Sequence, residues 1–132
     1  MLVEGDDIND PIADSVRAIL DGHIVLSRDL ANHGHSPAID VLASTSRLLP
    51  NLASDDERAS IRRVIALAAE HARHRDMIEI GAYRSGVNAE LDQAVKLKPR
   101  IDAFLRQDMA ETFTREQSMA MLRSIATGEA VR

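Results

Sequence analysis

Apolar positions along the chain follow two styles, divided near Pro50. In the first, Ile12, Val16, Ile19 and Leu20 recur at three- and four-residue intervals behind Asp10-Pro11. Residues three and four apart share one helical face, so the spacing predicts a helix. Asp can accept a free N–H at the helix start, and Pro at the first helical position forfeits no bond. Asp21-Gly22 stops it. His23-Ile24-Val25-Leu26-Ser27 is short and β-branched and reads as a buried strand. A brief helix follows, closed by Gly34, and Leu2-Val3 reads as the tail of an earlier strand. Strand, helix, strand, helix is the rhythm of an α/β unit with a parallel sheet. Two strands do not make such a sheet stable, so either further strands complete it or this part is poorly ordered. "AIDVLASTSR", residues 38–47, has five apolar residues in its first six, then Ser44-Thr45-Ser46, and ends on Arg47.

Beyond Pro50 the helical period dominates. Ser54-Asp55-Asp56-Glu57 is a capping box, in which Ser54 and Glu57 satisfy each other's backbone N–H groups. Ile61, Val64, Ile65 and Ala68 form one stripe, extended by Ala72, Met77 and Ile80 to a stop at Gly81. "AYRSGVN" reads as a turn. Asn88 then caps a helix carrying Leu91, Ala94 and Val95, and Pro99 opens another with Ile101, Phe104 and Leu105. Thr114-Arg115-Glu116-Gln117 repeats the capping box ahead of Met121, Leu122 and Ile125. The expected protein is mainly α: an α/β portion over 1–49, then a bundle of four helices over 50–132.

Composition agrees with helices. The chain has 132 residues with two Phe, one Tyr and no Trp, so Ala, Leu, Ile, Val and Met must fill the core. Such residues pack well between helices, whereas sheets favour aromatic and β-branched ones. Cysteine is absent, which excludes disulfides and thiolate metal sites and is consistent with a reducing compartment. The longest apolar run, Val64 to Ala69, is far short of a bilayer span. The acidic start "MLVEGDDIND" lacks the layout of a signal peptide. A formal charge of −5 argues against nucleic acid, which needs a basic surface. The default is a soluble cytoplasmic protein.

Candidate chemistry is sparse. His33 and His35 flank Gly34, and His71 and His74 sit three apart on an expected helix. A zinc site on such a pair also needs a third ligand, and Arg73 and Arg75 repel a cation, so solvated surface histidines are the favoured reading. Glu4, Asp6, Asp7, Asp10 and Asp14 read as capping and turn residues rather than a catalytic pair. No phosphate-binding G-x-x-x-x-G-K-[ST] loop occurs. Arg28 and Arg47 each follow a Ser after a β-like or apolar stretch, and taken alone both read as surface guanidiniums or salt-bridge partners.

One resemblance changes this picture. "DPIAD", "RAILDGHIVLSR", "PAIDVLAS" and "SR" occur in order, and this part resembles the end of the catalytic core of the flagellar and type III secretion ATPases. Those enzymes are relatives of the rotary F-type ATP synthase subunits. "IEIGAYRSGVNAELDQA" and "FLRQ" are similar to the helical C-terminal domain of the same family, leaning towards its flagellar branch. The resemblance implies the C-terminal edge of a RecA-like core over 1–49 and a C-terminal helical domain over 50–132. It implies a subunit that hydrolyses ATP with Mg2+ in a homohexameric ring to energise protein export. Most of the nucleotide is then held by a phosphate loop and a catalytic glutamate upstream of Leu2.

The same resemblance assigns residues. Arg47 matches the arginine finger, which reaches the γ-phosphate of ATP bound to the neighbouring subunit, and Arg28 receives a structural role. A planar, permanently charged fork suits that task, because phosphoryl charge spreads over several oxygens in the transition state. The family usually has Tyr where Ser36 precedes Pro37, so adenine stacking there is expected to weaken. Met109, after "FLRQ", falls near a second adenine-pocket position. The turn "AYRSGVNAE" matches the stalk-contacting tip but is nearly neutral, whereas rotary synthase subunits carry acids there. The implied partners are identical subunits, a stalk protein and export chaperones or substrates, with peripheral membrane association at the cytoplasmic face of the export apparatus. Two rival readings are a non-catalytic helical adaptor for chaperones or a stalk protein, and a small metal enzyme built on the histidines.

Overall fold

The computed structural model describes residues 10–129. The expected Leu2-Val3 strand and the acids Glu4, Asp6 and Asp7 lie outside them. Asp10 accepts the Ile12 N–H at 2.7 Å and opens helix α1 (Pro11–Ile19). Strand β1 (Gly22–Leu26) and helix α2 (Arg28–Asn32) follow, the latter capped by Ser27. Strand β2 (Ile39–Ser46) and the single turn α3 (Leu49–Leu52) complete this portion. Helices α4 (Asp55–Arg73), α5 (Arg75–Glu79), α6 (Ala89–Leu105) and α7 (Arg115–Thr127) make up the rest.

Two expectations for the first portion are corrected. The strand over 23–27 is real, but it pairs with β2 antiparallel, not in a parallel sheet. Nor is it buried, since Ile24 and Leu26 are both 72% exposed. Strand β2 carries no strand signature in the sequence, because its polar and apolar residues do not alternate. The pairing of Val25 with Asp40 and of His23 with Thr45 leaves residues 41–44 opposite Ile24 alone, and this bulge breaks the two-residue period.

The helical portion owns the core. Val64 and Leu67 of α4, Ala94, Leu97 and Ile101 of α6, and Leu122 and Ile125 of α7 form one buried cluster. Ala94 is fully covered, which lets α4 and α6 approach closely. The stripe read on α4 is rotated from the expected one. Val64 belongs to the core, but its partner is Leu67, while Ile65 is 39% exposed and Ile80, beyond α5, is 78% exposed. Helices α6 and α7 cover only one face of α4, so its surplus apolar residues fall outside.

Helix boundaries shift in one place each way. Pro99 does not start a helix but lies inside α6. Its missing N–H and ring cost about 3 kcal/mol in a helix interior. Burial of Leu97 and Ile101 on either side contributes about 1.5–3 kcal/mol each, which is enough to keep the helix whole. Conversely, the stretch expected to run unbroken to Gly81 breaks at His74, the cap shared by α4 and α5. Gly81, at φ 73°, takes the left-handed turn just after α5.

Both capping boxes form, and one is tied to the other. Ser54 accepts the Glu57 N–H while the Glu57 carboxylate accepts the Ser54 N–H at 2.9 Å. Thr114 and Gln117 repeat the arrangement on α7. The buried Glu57 carboxylate also takes both prongs of Arg115, at 2.9 and 3.0 Å, so the starts of α4 and α7 are clamped together. The Arg115 hydrogen bond, followed by the Ser54 N–H, pulls the Glu57 carboxyl from its ordinary 4.5 to about 2.

A depressed carboxyl stabilises the fold above its unfolded value and loses that contribution as pH falls through its folded value. Arg115→Gln should therefore lower the melting temperature by its full amount above pH 4.5, and the deficit should shrink towards pH 2. Thermal melts of both proteins across that window check this, and a deficit independent of pH would contradict it.

Candidate functional site

Strand β2 is flanked by candidate residues at both ends. At its C-terminal end, the Arg47 N–H donates to the Asp21 carbonyl at 2.7 Å. Its guanidinium Nη1 donates to the Ala18 carbonyl at 3.2 Å, in the last turn of α1. A cation is favourable there, because unsatisfied carbonyls give a helix C-terminus partial negative charge. The side chain is exposed, and this contact occupies one of five guanidinium donors. Gly22 brings the segment in tightly: a Cβ there would meet the Thr45 carbonyl oxygen at 2.6 Å. Any larger residue would push the approach to Arg47 away from β1.

At the other end, Ser36 and Pro37 are exposed and joined by a cis peptide bond. The Ser36 carbonyl accepts the Gln107 N–H at 2.8 Å, which places this loop beside the segment leaving α6. Met109, two residues on, is wholly exposed. Ser36, Pro37 and the Met109 segment are thus brought to one place, as neighbours of a shared surface. Arg47 is not among them. The two groups lie at opposite ends of the β1–β2 ladder, separated by roughly 13 Å of strand, so they cannot touch one group of a ligand together. A small cavity next to Gln107 is lined by Phe104, Phe113, Glu111 and Met121.

The histidines diverge. His35 is buried and donates from Nδ1 to the Pro37 carbonyl at 3.0 Å, which steadies the Ser36–Pro37 turn. His33 is exposed beside Asp29. His74 pairs with Glu70 at 3.3 Å. His71 faces Lys98 and Asp102 across a groove between α4 and α6, and burial, then the Lys98 charge, lowers its pKa. Among the described residues, no three His, Cys, Asp or Glu side chains converge on one point. Asp10 caps α1, Asp14 pairs with Arg17 at 3.2 Å, and Arg28 begins α2.

The turn between α5 and α6 is braced by a residue the sequence pattern did not single out. Asp92 accepts the Tyr83 hydroxyl on one oxygen and the Gly86 N–H on the other at 2.8 Å. The Tyr83 hydrogen bond holds the Asp92 carboxyl below its ordinary range and pushes the Tyr83 phenol up. Asn88 caps α6 as expected, accepting from Glu90 and Leu91. The braced loop presents Val87, 82% exposed, with Arg84 beside it and Ile80 at its base. The sequence marks this turn by Gly81, "AYRSGVN" and Asn88 but not by Asp92, since an Asp inside a helix start looks like a dipole partner.

Similarity to known proteins agrees with this layout. Residues 53–124 match the family model described as the T3SS EscN ATPase C-terminal domain. Residues 1–46 match the ATP synthase alpha/beta family, nucleotide-binding domain. The chain is 48% identical over 122 residues to the flagellum-specific ATP synthase of Salmonella typhimurium, covering 92% of this chain and 27% of that protein. It is 48% identical over 130 residues to the SPI-2 type 3 secretion system ATPase of the same organism, covering 96% of this chain and 29% of the relative. It therefore spans under a third of the length of these relatives. The assembled ATPase EscN of the enteropathogenic E. coli type III secretion system superposes with a TM-score of 0.91 at 36% identity, over 96% of this chain and 31% of EscN. EscN in complex with its central stalk EscO gives a TM-score of 0.83 at 35% identity, over 88% of this chain and 29% of that one. Among the described residues no helix is long and apolar enough to cross a membrane. The chain belongs to the flagellar and type III secretion ATPase family, and corresponds to the C-terminal region of its members.

Proposed function

We propose that this chain is the C-terminal part of a subunit that hydrolyses ATP in a homohexameric ring and energises protein export. Residues 1–49 form the edge of its RecA-like core and residues 50–132 its helical C-terminal domain. The observation that carries the reading is the state of Arg47. Its backbone N–H is fixed to the Asp21 carbonyl, between α1 and β1, while its exposed guanidinium holds, among the described residues, the Ala18 carbonyl of α1. That is a rigid base carrying available donors, which suits an arginine finger acting in trans on a neighbour's γ-phosphate. Mg2+ and most of the ATP would be held by the part of the subunit that precedes this chain.

The far end of β2 suits the other side of the same chemistry. Ser36, Pro37 and Met109 would line the adenine of the subunit's own nucleotide, with Ser36 giving no aromatic face. The braced turn at Val87 and Arg84 would meet a stalk protein, a role supported by the EscN–EscO complex of a relative. Export chaperones or substrates would be the remaining partners. The subunit would work in the cytoplasm, peripherally bound at the cytoplasmic face of the export apparatus.

In the complete subunit, Arg47→Ala should reduce turnover by roughly 10³-fold or more, as for other arginine fingers. Arg47→Lys should recover little, because an ammonium cannot reproduce a two-pronged contact. Rings mixed from Arg47→Ala subunits and subunits lacking their phosphate-loop lysine should regain activity at the interfaces that pair one intact finger with one intact loop. A destabilised mutant whose mixed rings stay inactive would make Arg47 a brace of its own subunit.

Ser36→Tyr in the same subunit should tighten nucleotide binding, since an aromatic face on a base contributes on the order of 1 kcal/mol or more. Equilibrium titration with a fluorescent ATP analogue reads this, and unchanged affinity would place the adenine elsewhere.

A further inference from the structure

Four hydrogen bonds made by side chains hold the bulge in β2. The Ala43 N–H donates to Asp40 Oδ1 at 3.0 Å. The Ser44 hydroxyl donates to the Asp40 carbonyl at 2.6 Å and accepts the Val25 N–H from β1 at 2.9 Å. His23 donates from Nε2 to the Ala43 carbonyl at 3.2 Å. Ser44 is the member whose single hydroxyl is used twice, closing the bulge on its own strand and fastening it to the next.

Register shows what the bulge does. Between the pairs Val25–Asp40 and His23–Thr45, two steps along β1 take five along β2, three more than an unbroken ladder. At about 3.3 Å per residue, those three residues draw Arg47 back by roughly 10 Å. An odd number of extra residues also reverses the face that each later side chain presents. The returned strand then lies on Gly22, where only a missing Cβ admits Thr45.

We propose that the Asp40–Ser44 bulge is a register device that sets the reach and facing of Arg47, with Ser44 as its positioning residue and Gly22 as the seat that receives it. Its consequence for turnover rests on the finger reading of Arg47; the device itself does not. Ser44 touches no ligand in this scheme and acts only through where the strand ends.

Hydrogen exchange at Val25 and over residues 43–48 of the complete subunit reads the device directly. Ser44→Ala leaves the Val25 N–H without its partner and should speed exchange there by about tenfold or more, with α4, α6 and α7 keeping wild-type protection. Ser44→Thr keeps the hydroxyl and should restore slow exchange. Unchanged exchange in Ser44→Ala overturns the proposal. Turnover then separates the two ideas: Ser44→Ala should lower kcat with KM for ATP unchanged, and adding Arg47→Ala should cost no more than Arg47→Ala alone. Losses that multiply overturn the proposal, because Ser44 would then act by another route. Fast exchange with turnover intact in both Ser44→Ala and Arg47→Ala upholds the device and rejects the finger.

Discussion

The close approach of Thr45 to Gly22 governs what the rest of the chain can present. With no Cβ at Gly22, β2 returns to β1 after its bulge, and the Arg47 N–H reaches the Asp21 carbonyl. Three residues before the same strand, the Ser36 carbonyl accepts the Gln107 N–H from the segment behind α6. One eight-residue strand thus ties the end of α1 to the end of the helical core. A shift of β2 along β1 would therefore move the Arg47 end and the Ser36 end together.

Behind that strand, the helical portion is fixed by different physics. Its core is aliphatic and small, drawn from α4, α6 and α7, and it tolerates a proline inside α6 because Leu97 and Ile101 are buried on either side. The Glu57–Arg115 clamp adds direction to this packing. A buried carboxylate that serves both its own helix start and a distant guanidinium fixes how α4 and α7 enter the bundle, which burial alone leaves loose. At the opposite pole, Asp92 holds a turn in one conformation through Tyr83 and Gly86, so Val87 is presented from a braced loop.

Local signals in the sequence were the most legible. Asp10-Pro11, Ser54 with Glu57, Asn88, and Thr114 with Gln117 each announce a helix start through side chains that reach only three residues, and all four caps form. What depended on distant partners was not legible. Pro99 looked like a boundary because the burial of its neighbours is a tertiary fact. Strand β1 reads as buried because it is short and β-branched, but its antiparallel partner decides both direction and exposure, and the bulge hides that partner. Asp92 gave no signal, since its ligands lie six and nine residues back across a turn. For the candidate site, the resemblance supplied Arg47, Ser36, Pro37 and Met109. The structure adds how they are held: Arg47 by two carbonyls of its own chain, and Ser36 by the Gln107 N–H.

An arginine finger on a fixed base serves a nucleotide that its own subunit does not hold, which is the role proposed for Arg47. The most direct measurement is a structure of the assembled complete subunit with a bound ATP analogue. The Arg47 guanidinium should lie within about 3 Å of a γ-phosphate oxygen on the neighbouring subunit, with Ser36 and Pro37 facing a different nucleotide. An Arg47 that stays on the Ala18 carbonyl with no phosphate in reach, or that contacts the nucleotide of its own subunit, would contradict it.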